Sequence, residues 1–228
     1  YILAGQTQSD ELNNEGNVGL DLRYNLTSTA TLNMTFNPDF GQVEADPSVL
    51  NLSAFETRLE EKRPFFVQGA SFFNSWLRIF NSRRIGRRPN FNEPSSGDIV
   101  DQPNETTILS AAKVLGQTRS GIKYGIINAL TSEEYGTHEY DFNGAVKKDR
   151  FLVEPYSNYF VGRFTKPIVN DLSTVGFMAT DLHRNGHNIK ASSLKGDWLL
   201  NLMDNKLEFT GEYATTINEE NGYAGRLR

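Results

Sequence analysis

The feature that most constrains the fold is a regular alternation of apolar with polar or glycine residues along 16–36, interrupted once by a turn. The apolar positions of this stretch are Val18, Leu20, Leu22, Tyr24, Leu32, Met34 and Phe36. A period of two places successive side chains on opposite faces of a β-strand. The stretch therefore predicts two strands of a sheet whose two faces meet different environments.

The same alternation returns at Leu207, Phe209 and Tyr213 and, in weaker form, over residues 108–116, 122–130, 158–166, 174–182 and 191–202. A soluble β-sandwich would alternate as well, so the connections between the segments decide more. Short links are predicted at 26–29, 117–121, 167–172 and 203–206, and longer polar links at 131–154 and 183–190. Short turns that alternate with long loops are typical of outer-membrane barrels, whose strands need about 9–11 residues to cross the bilayer.

These patterns predict an all-β fold that is part of an antiparallel transmembrane β-barrel of the up-and-down type. In such a barrel the apolar members of each strand face lipid and the polar members face the lumen. The residues expected to face lipid are Val18, Leu20, Leu22, Leu32, Met34, Phe36, Leu207, Phe209 and Tyr213.

Composition excludes several other classes. The 228-residue chain has no cysteine and therefore no disulfide, thiolate metal site or cysteine nucleophile. Its formal charge of −5 argues against a nucleic-acid partner, which would require a basic surface. No apolar run reaches the roughly 20 residues that a transmembrane helix needs.

Residues 37–89 do not have the pattern of membrane strands, because Pro38, Pro47, Pro64 and Pro89 interrupt them. A helix is predicted from Ser53 through residue 62, capped by the Ser53–Glu56 pair and ended by Pro64. The phenylalanines at 65, 66, 72 and 73 require burial that a loop in water would not provide. We therefore predict that residues 37–89 form an insert that returns to the barrel end it left and packs inside the barrel or across its mouth.

Charged residues are dense in this insert. Four arginines at 83, 84, 87 and 88 could bind anionic lipid headgroups or an acidic ligand, or they could pair with local carboxylates. The number of nearby acids favours an internal network. The residues predicted to form it are Asp39, Glu44, Asp46, Glu56, Glu61, Arg63, Arg83 and Arg84.

No pattern of residues predicts a reaction. Glu44 and Asp46 would share one face of a strand, which fits a glycosidase carboxylate pair only loosely. His183 and His187 have the spacing of helical metal ligands, but Asn185-Gly186 between them predicts a turn instead of a helix. The chain is expected to have no catalytic, cofactor or metal site. A surface protein that binds or hydrolyses glycans is the alternative.

Several ordered motifs carry a resemblance to a known family. They are NPDFGQVEADP at 37–47, NLSAFET at 51–57, EKRPFF at 61–66, SRRIG at 82–86, AAK at 111–113, NYFVG at 158–162 and TVG at 174–176. Together they resemble large Gram-negative bacterial proteins in which a domain similar to carbohydrate-binding family 9 precedes a barrel-like domain of unknown function. The likeness extends over nearly the whole chain from Asn17 onward.

The resemblance implies a location in the bacterial outer membrane and supplies no established reaction. It implies one barrel fragment over residues 1–228, with an upstream carbohydrate-binding-like domain and closing strands missing. Two functions follow as hypotheses: a plugged channel or transporter, or a scaffold in a cell-surface complex. The expected partners are the lipid bilayer, other outer-membrane or surface proteins, and glycan through the missing domain. No nucleic acid and no cofactor are expected.

Overall fold

The computed structural model describes residues 2–6, 18–38, 60–186, 190–203, 206–217 and 221–228. Within this part of the chain the fold is built almost entirely from antiparallel strands. The strands are β1 (Ile2–Gln6), β2 (Val18–Thr27), β3 (Ala30–Phe36), β4 (Asp98–Asp101), β5 (Ile108–Gln117), β6 (Lys123–Thr131), β7 (Glu134–Phe142), β8 (Ala145–Glu154), β9 (Ser157–Ile168), β10 (Asn170–Arg184), β11 (Lys190–Leu202), β12 (Leu207–Ile217) and β13 (Gly222–Leu227). The helical elements are α1 (Pro64–Val67), α2 (Ala70–Phe73) and a 3-10 turn at Ser82–Arg84.

Ten strands of the described chain form one large sheet in the order β1-β2-β3-β5-β6-β9-β10-β11-β12-β13, with every pairing antiparallel. The expected all-β, antiparallel class is therefore confirmed. Strands β1 and β13 are the two edges of this sheet, and no pairing between them closes it within the described residues. None of the helices described has the length and apolarity that a membrane-crossing helix requires.

A second, three-stranded sheet has the order β4-β7-β8 and corrects one expectation. Residues 131–154 were expected to form a polar link, but β7 and β8 occupy most of them as a hairpin. Its tip is Asn143-Gly144, where both residues have positive φ (57° and 80°), as a type I′ turn requires. Charged residues on both faces of β8, such as Lys147, Lys148 and Arg150, conceal the alternation of this strand.

The insert lies between two strands that are neighbours in the sheet. β3 pairs with β5 in register from Ala30↔Gly116 to Phe36↔Ser110, so the chain returns to the end of the sheet that it left. The helix predicted through residue 62 does not extend over 60–62, which are not helical. Instead Pro64 begins α1, because its fixed φ and missing N–H suit the first helical position. Residues 53–59 of the predicted helix lie outside the described residues.

Candidate functional site

The large sheet has one apolar face, which we call the outer face. Antiparallel partners share a face, and the register joins Leu20 to Phe36, Leu22 to Met34 and Tyr24 to Leu32. The nine residues predicted to face lipid all occupy this face: Val18, Leu20, Leu22, Leu32, Met34, Phe36, Leu207, Phe209 and Tyr213. Further residues that share it are Val114, Tyr124, Ile126, Phe160, Phe164, Val175, Phe177, Leu194 and Trp198.

These apolar side chains are open to the surroundings. Phe177 is 47% exposed and Tyr213 is 52% exposed, although each lies near the middle of its strand. The apolar character ends toward the β10–β11 turn, where Asn158, Asp181 and His183 occupy the outer positions. The outer face therefore carries an apolar band across its strands, and polar residues limit the band at this end.

The opposite, inner face is covered, and the buried charges of the sheet lie on it beside apolar residues such as Ile127, Val161 and Met178. Its most deeply buried polar side chains include Thr35, Lys113 and Lys195, each at most 1% exposed, and Asn33 and Arg163, each 8% exposed. Burying a charge without partners costs several kcal/mol, on the order of the whole stability margin of a domain. The charged residues among them consequently need specific partners: Lys113 finds them in the insert, and Arg163 and Lys195 find theirs on other strands.

Arg63 organises residues 61–85 of the insert. Its guanidinium donates to the carbonyl oxygens of Ile85 (2.6 Å) and Ser82 (2.8 Å) and binds both carboxylate oxygens of Glu61 at 2.8 and 2.7 Å. It also lies 4.4 Å from the centre of the Phe66 ring. The bonds from Arg63 to the Ser82 and Ile85 carbonyls thus tie the segment before α1 to the 3-10 turn some 20 residues later, and Glu61 neutralises the guanidinium.

Glu61 is ionised in this setting at ordinary pH. Burial by itself raises the pKa of its carboxyl, but the hydrogen bond and the charge of Arg63, together with the Ser82 hydroxyl at 2.6 Å, outweigh burial. The pKa of Glu61 consequently lies below its ordinary value of 4.5.

Aromatic rings of the insert pack on the inner face of the sheet. Phe66 and Ile85 form one buried cluster with Ile108, Ala111 and Ala129. Phe73 forms a second cluster with the strand residues Ile127, Val161 and Met178, with Phe72 and Phe80 packed against it. The rings of the insert lie close to the backbone of β6 at Gly125, where an added Cβ would lie 2.6 Å from the Phe72 ring and 2.8 Å from the Phe73 ring.

Two charged residues of the sheet bind the backbone of the insert. The Lys113 ammonium donates to the carbonyl oxygens of Phe65 and Gln68, which lie at the end of α1. At a distance along the sheet, the Glu212 carboxylate accepts the backbone N–H groups of Trp76 (3.1 Å) and Leu77 (2.5 Å). The Arg226 guanidinium stacks 3.6 Å from the centre of the Trp76 ring.

Other charges of the inner face pair between strands. Arg163 on β9 binds Asp197 on β11 at 2.7 Å, and the Lys195 ammonium on β11 lies 3.8 Å from the Glu212 carboxylate on β12. Sequence reasoning missed Lys113, Arg163, Lys195, Asp197 and Glu212. The signal was present, since all five occupy the polar positions of alternating strands, but alternation does not say which polar positions the insert covers.

The predicted network of the insert is placed only in part. Glu61 and Arg63 are joined as described, and Arg83 and Arg84 lie in the 3-10 turn, where the Arg83 N–H donates to the Asn81 side chain at 3.2 Å. The remaining members, Asp39, Glu44, Asp46 and Glu56, lie outside the described residues. The Glu44 and Asp46 pair that the glycosidase alternative requires is among them.

A cavity of about 490 Å³ lies within the insert where it meets the sheet. Its walls combine apolar side chains such as Phe73, Phe80 and Ile127 with the polar side chains of Glu60, Asn74 and Arg78. No group of three or more potential metal ligands occurs among the residues that the structure describes. His183 occupies an outer position of β10, and His187 lies outside the described part.

Comparison with known families decides what the chain is related to. The family described as "Domain of unknown function (DUF5916)" matches residues 2–227. The chain belongs to the DUF5916 family. No curated protein and no solved structure matches this DUF5916 domain.

Proposed function

We propose that this DUF5916 chain is part of a bacterial outer-membrane β-barrel whose interior is filled by the insert, so that it acts as a plugged channel or transporter. One observation carries the proposal: the exposed face of the large sheet carries large apolar side chains, whereas the buried charges Lys113, Arg163 and Lys195 lie on the covered face. A sheet in water would have the opposite arrangement, because apolar surface is buried and charge is left solvated. A sheet around a polar lumen in lipid has the arrangement observed.

The contacts of the insert support its role as a plug. Aromatic clusters, the Lys113 tether and the Glu212 tether all lie on the inner face, which becomes the lumen when the sheet is curved into a barrel. A lumen filled in this way has no open path for solutes until the insert moves. The lipid bilayer is then the partner of the outer face.

The decisive experiment replaces residues 39–86 by a short Gly-Ser linker. The linker can bridge the gap because β3 and β5 are adjacent antiparallel strands, and the Asn37 N–H already donates to the Leu109 carbonyl at 2.9 Å. We expect the variant to assemble in membranes and to conduct ions in planar bilayers, whereas the parent stays largely closed. A variant that assembles and conducts no better than the parent would overturn the channel proposal.

Membrane placement is tested separately by single cysteines, which are unique labels because the chain has none. Neighbouring positions on opposite faces provide matched pairs: Leu20→Cys with Asp21→Cys, and Phe209→Cys with Glu208→Cys. In intact outer membranes we expect Leu20→Cys and Phe209→Cys to resist a water-soluble maleimide that labels the other two. Equal labelling within both pairs would show that the outer face is in water.

A second function, a scaffold in a cell-surface complex, has one observation in its favour. The insert is held by ionic, aromatic and backbone contacts distributed over both halves of the large sheet, from Lys113 to Glu212. A permanently seated insert suits a closed platform better than a gate. In this case the linker variant would lose a partner protein in cross-linking experiments on whole cells, and the conductance would not change.

A further inference from the structure

The insert is attached to the sheet with very different depth at two places. At α1, Lys113 is 1% exposed and the neighbouring Phe66 and Ile85 are buried in a cluster. At residues 76–77 the attachment consists of Glu212 and Arg226, and Trp76 is 64% exposed. Local openings begin where few buried contacts must be broken. The segment around Trp76 is therefore the part of the insert that can dissociate from the sheet first.

The attachment at this end is specific. Residues 74–80 belong to no helix or strand, so the N–H groups of Trp76 and Leu77 have no ladder partners. One carboxylate of Glu212 satisfies both of them, at 3.1 and 2.5 Å, across 136 and 135 residues of chain. Charge-assisted bonds of this kind are roughly twice as strong as neutral ones.

The strands on both sides of β12 carry a cation near the position of Glu212 in the sheet. Lys195 on β11 lies 3.8 Å from the Glu212 carboxylate with a fully buried side chain, and Arg226 on β13 is the direct cross-strand partner of Glu212. Arg226 in turn covers the Trp76 ring at 3.6 Å, a cation–π contact. Glu212 thus pairs with Lys195 and binds two backbone donors of the insert, while Arg226 contacts the insert through the Trp76 ring.

We propose that Glu212 and Arg226 form a latch for the Trp76–Leu77 segment, and that its release is the first step in opening the plug. The inference rests on the proposed function, since a latch regulates the lumen only if the insert fills it. When the latch opens, the part of the insert bound by Lys113 and Arg63 stays in place. The opening is therefore a local movement of the Trp76–Leu77 segment that leaves the clusters around Phe66 and Phe73 intact.

Hydrogen exchange of the full-length protein in liposomes tests the latch directly. In Glu212→Gln and in Arg226→Ala, the peptide covering residues 74–80 is expected to exchange at least about tenfold faster than in the parent. The peptide covering 108–117 should be unchanged in both variants, which shows that the barrel remains folded. Glu208→Gln is the matched control, because Glu208 is an exposed carboxylate on the inner face of the same strand, four residues before Glu212.

A structural role for Glu212, as a counter-ion of Lys195 only, predicts a different result. Lys195→Met removes the buried ammonium and leaves the bonds to Trp76 and Leu77 possible. We expect the 74–80 peptide to stay protected in this variant. Loss of protection in Lys195→Met with none in Glu212→Gln would overturn the latch, as would equal exchange in Glu212→Gln and Glu208→Gln.

Conductance separates this inference from the proposed function. Faster exchange of 74–80 together with more frequent openings of Glu212→Gln in planar bilayers supports both. Faster exchange without openings supports the latch as a hold on the insert and overturns its gating role. If the linker variant conducts while Glu212→Gln shows neither effect, the plugged channel stands and the latch is wrong.

Discussion

The outer and inner faces of the ten-stranded sheet come from the same strands, but their exposure is the reverse of that in a water-soluble sheet. The face with large apolar side chains is exposed, and the face with the buried charges is covered. The outer face presents Phe177, Phe209 and Tyr213 to the surroundings, while the inner face buries Lys113 and Lys195. The comparison teaches that alternation alone defines two faces without saying which is covered. The insert decides this, because it packs on the polar face.

Each face has its own tolerance for change. The outer face carries apolar side chains that are open to the surroundings, so substitutions there report the medium that surrounds it. The inner face is a set of paired charges and close aromatic contacts, so substitutions there report the fit of the insert. Paired substitutions at neighbouring or equivalent positions on the two faces test this difference.

The largest effect is expected for a charge placed on the outer face. Phe209→Arg should lower the free energy of unfolding by about 2–4 kcal/mol if the position lies near the middle of a bilayer. Thr210→Arg, one residue along β12 and on the inner face between Glu208 and Glu212, should change it by less than about 0.5 kcal/mol. Urea titrations of both variants in liposomes measure the two values, and similar losses would remove the distinction between the faces.

A smaller effect is expected when an inner-face cation is removed. Lys113→Met deletes the donor to the carbonyl oxygens of Phe65 and Gln68 and should cost about 1.5–3 kcal/mol. Protease cleavage near α1 should increase with it. Lys113→Arg retains a cation and should recover part of the loss; cleavage as slow in Lys113→Met as in the parent would argue against the tether.

Glycines on the two faces give the next comparison. Gly125→Val forces the rings of Phe72 and Phe73 to move and should destabilise the protein by about 1–3 kcal/mol. At Gly196, an outer-face glycine of β11, an added Cβ meets no atom within 4 Å. Gly196→Val should therefore be neutral or slightly stabilising in thermal unfolding, and the proposal that the insert is seated on β6 fails if both substitutions are equally tolerated.

The smallest effect concerns pH. Since the pKa of Glu61 lies below 4.5 in the folded protein, its ion pair with Arg63 contributes stability that is fully present above pH 4.5. This contribution is lost as the pH falls through the lowered pKa. Pepsin cleavage within residues 64–85 should rise at the lowest pH values. Glu61→Gln should be cleaved more easily than the parent already near pH 5, and its cleavage rate should depend less on pH.

Much of the strand arrangement could be predicted from the sequence. Eight of the strands were expected from alternation, including the outer positions of β2, β3 and β12, because one apolar face is a local pattern. The β7–β8 hairpin was missed since charges such as Lys148 and Asp149 fall on both of its faces. The Asn143-Gly144 turn signal was available and was outweighed by the polarity of its flanks.

The candidate site was less accessible to prediction. The sequence pointed to Glu61 and Arg63 because acids and arginines are close together there. It gave no indication that Glu212 binds the backbone at Trp76, because that contact joins residues 136 positions apart through hydrogen bonds that any exposed N–H could make. Long-range polar contacts depend on register and packing, which no local pattern encodes.

The sequence by itself determined an antiparallel β fold, the identity of the apolar face and the presence of an insert, because period-two alternation and proline placement are local properties of the chain. Only the tertiary structure decided that the insert covers the face with the buried charges, that Lys113 and Glu212 bind it at two places, and that these two attachments differ in depth. The physical reason is that burial and charge pairing are fixed by which strands become neighbours, and the strand order is set by the whole sheet at once.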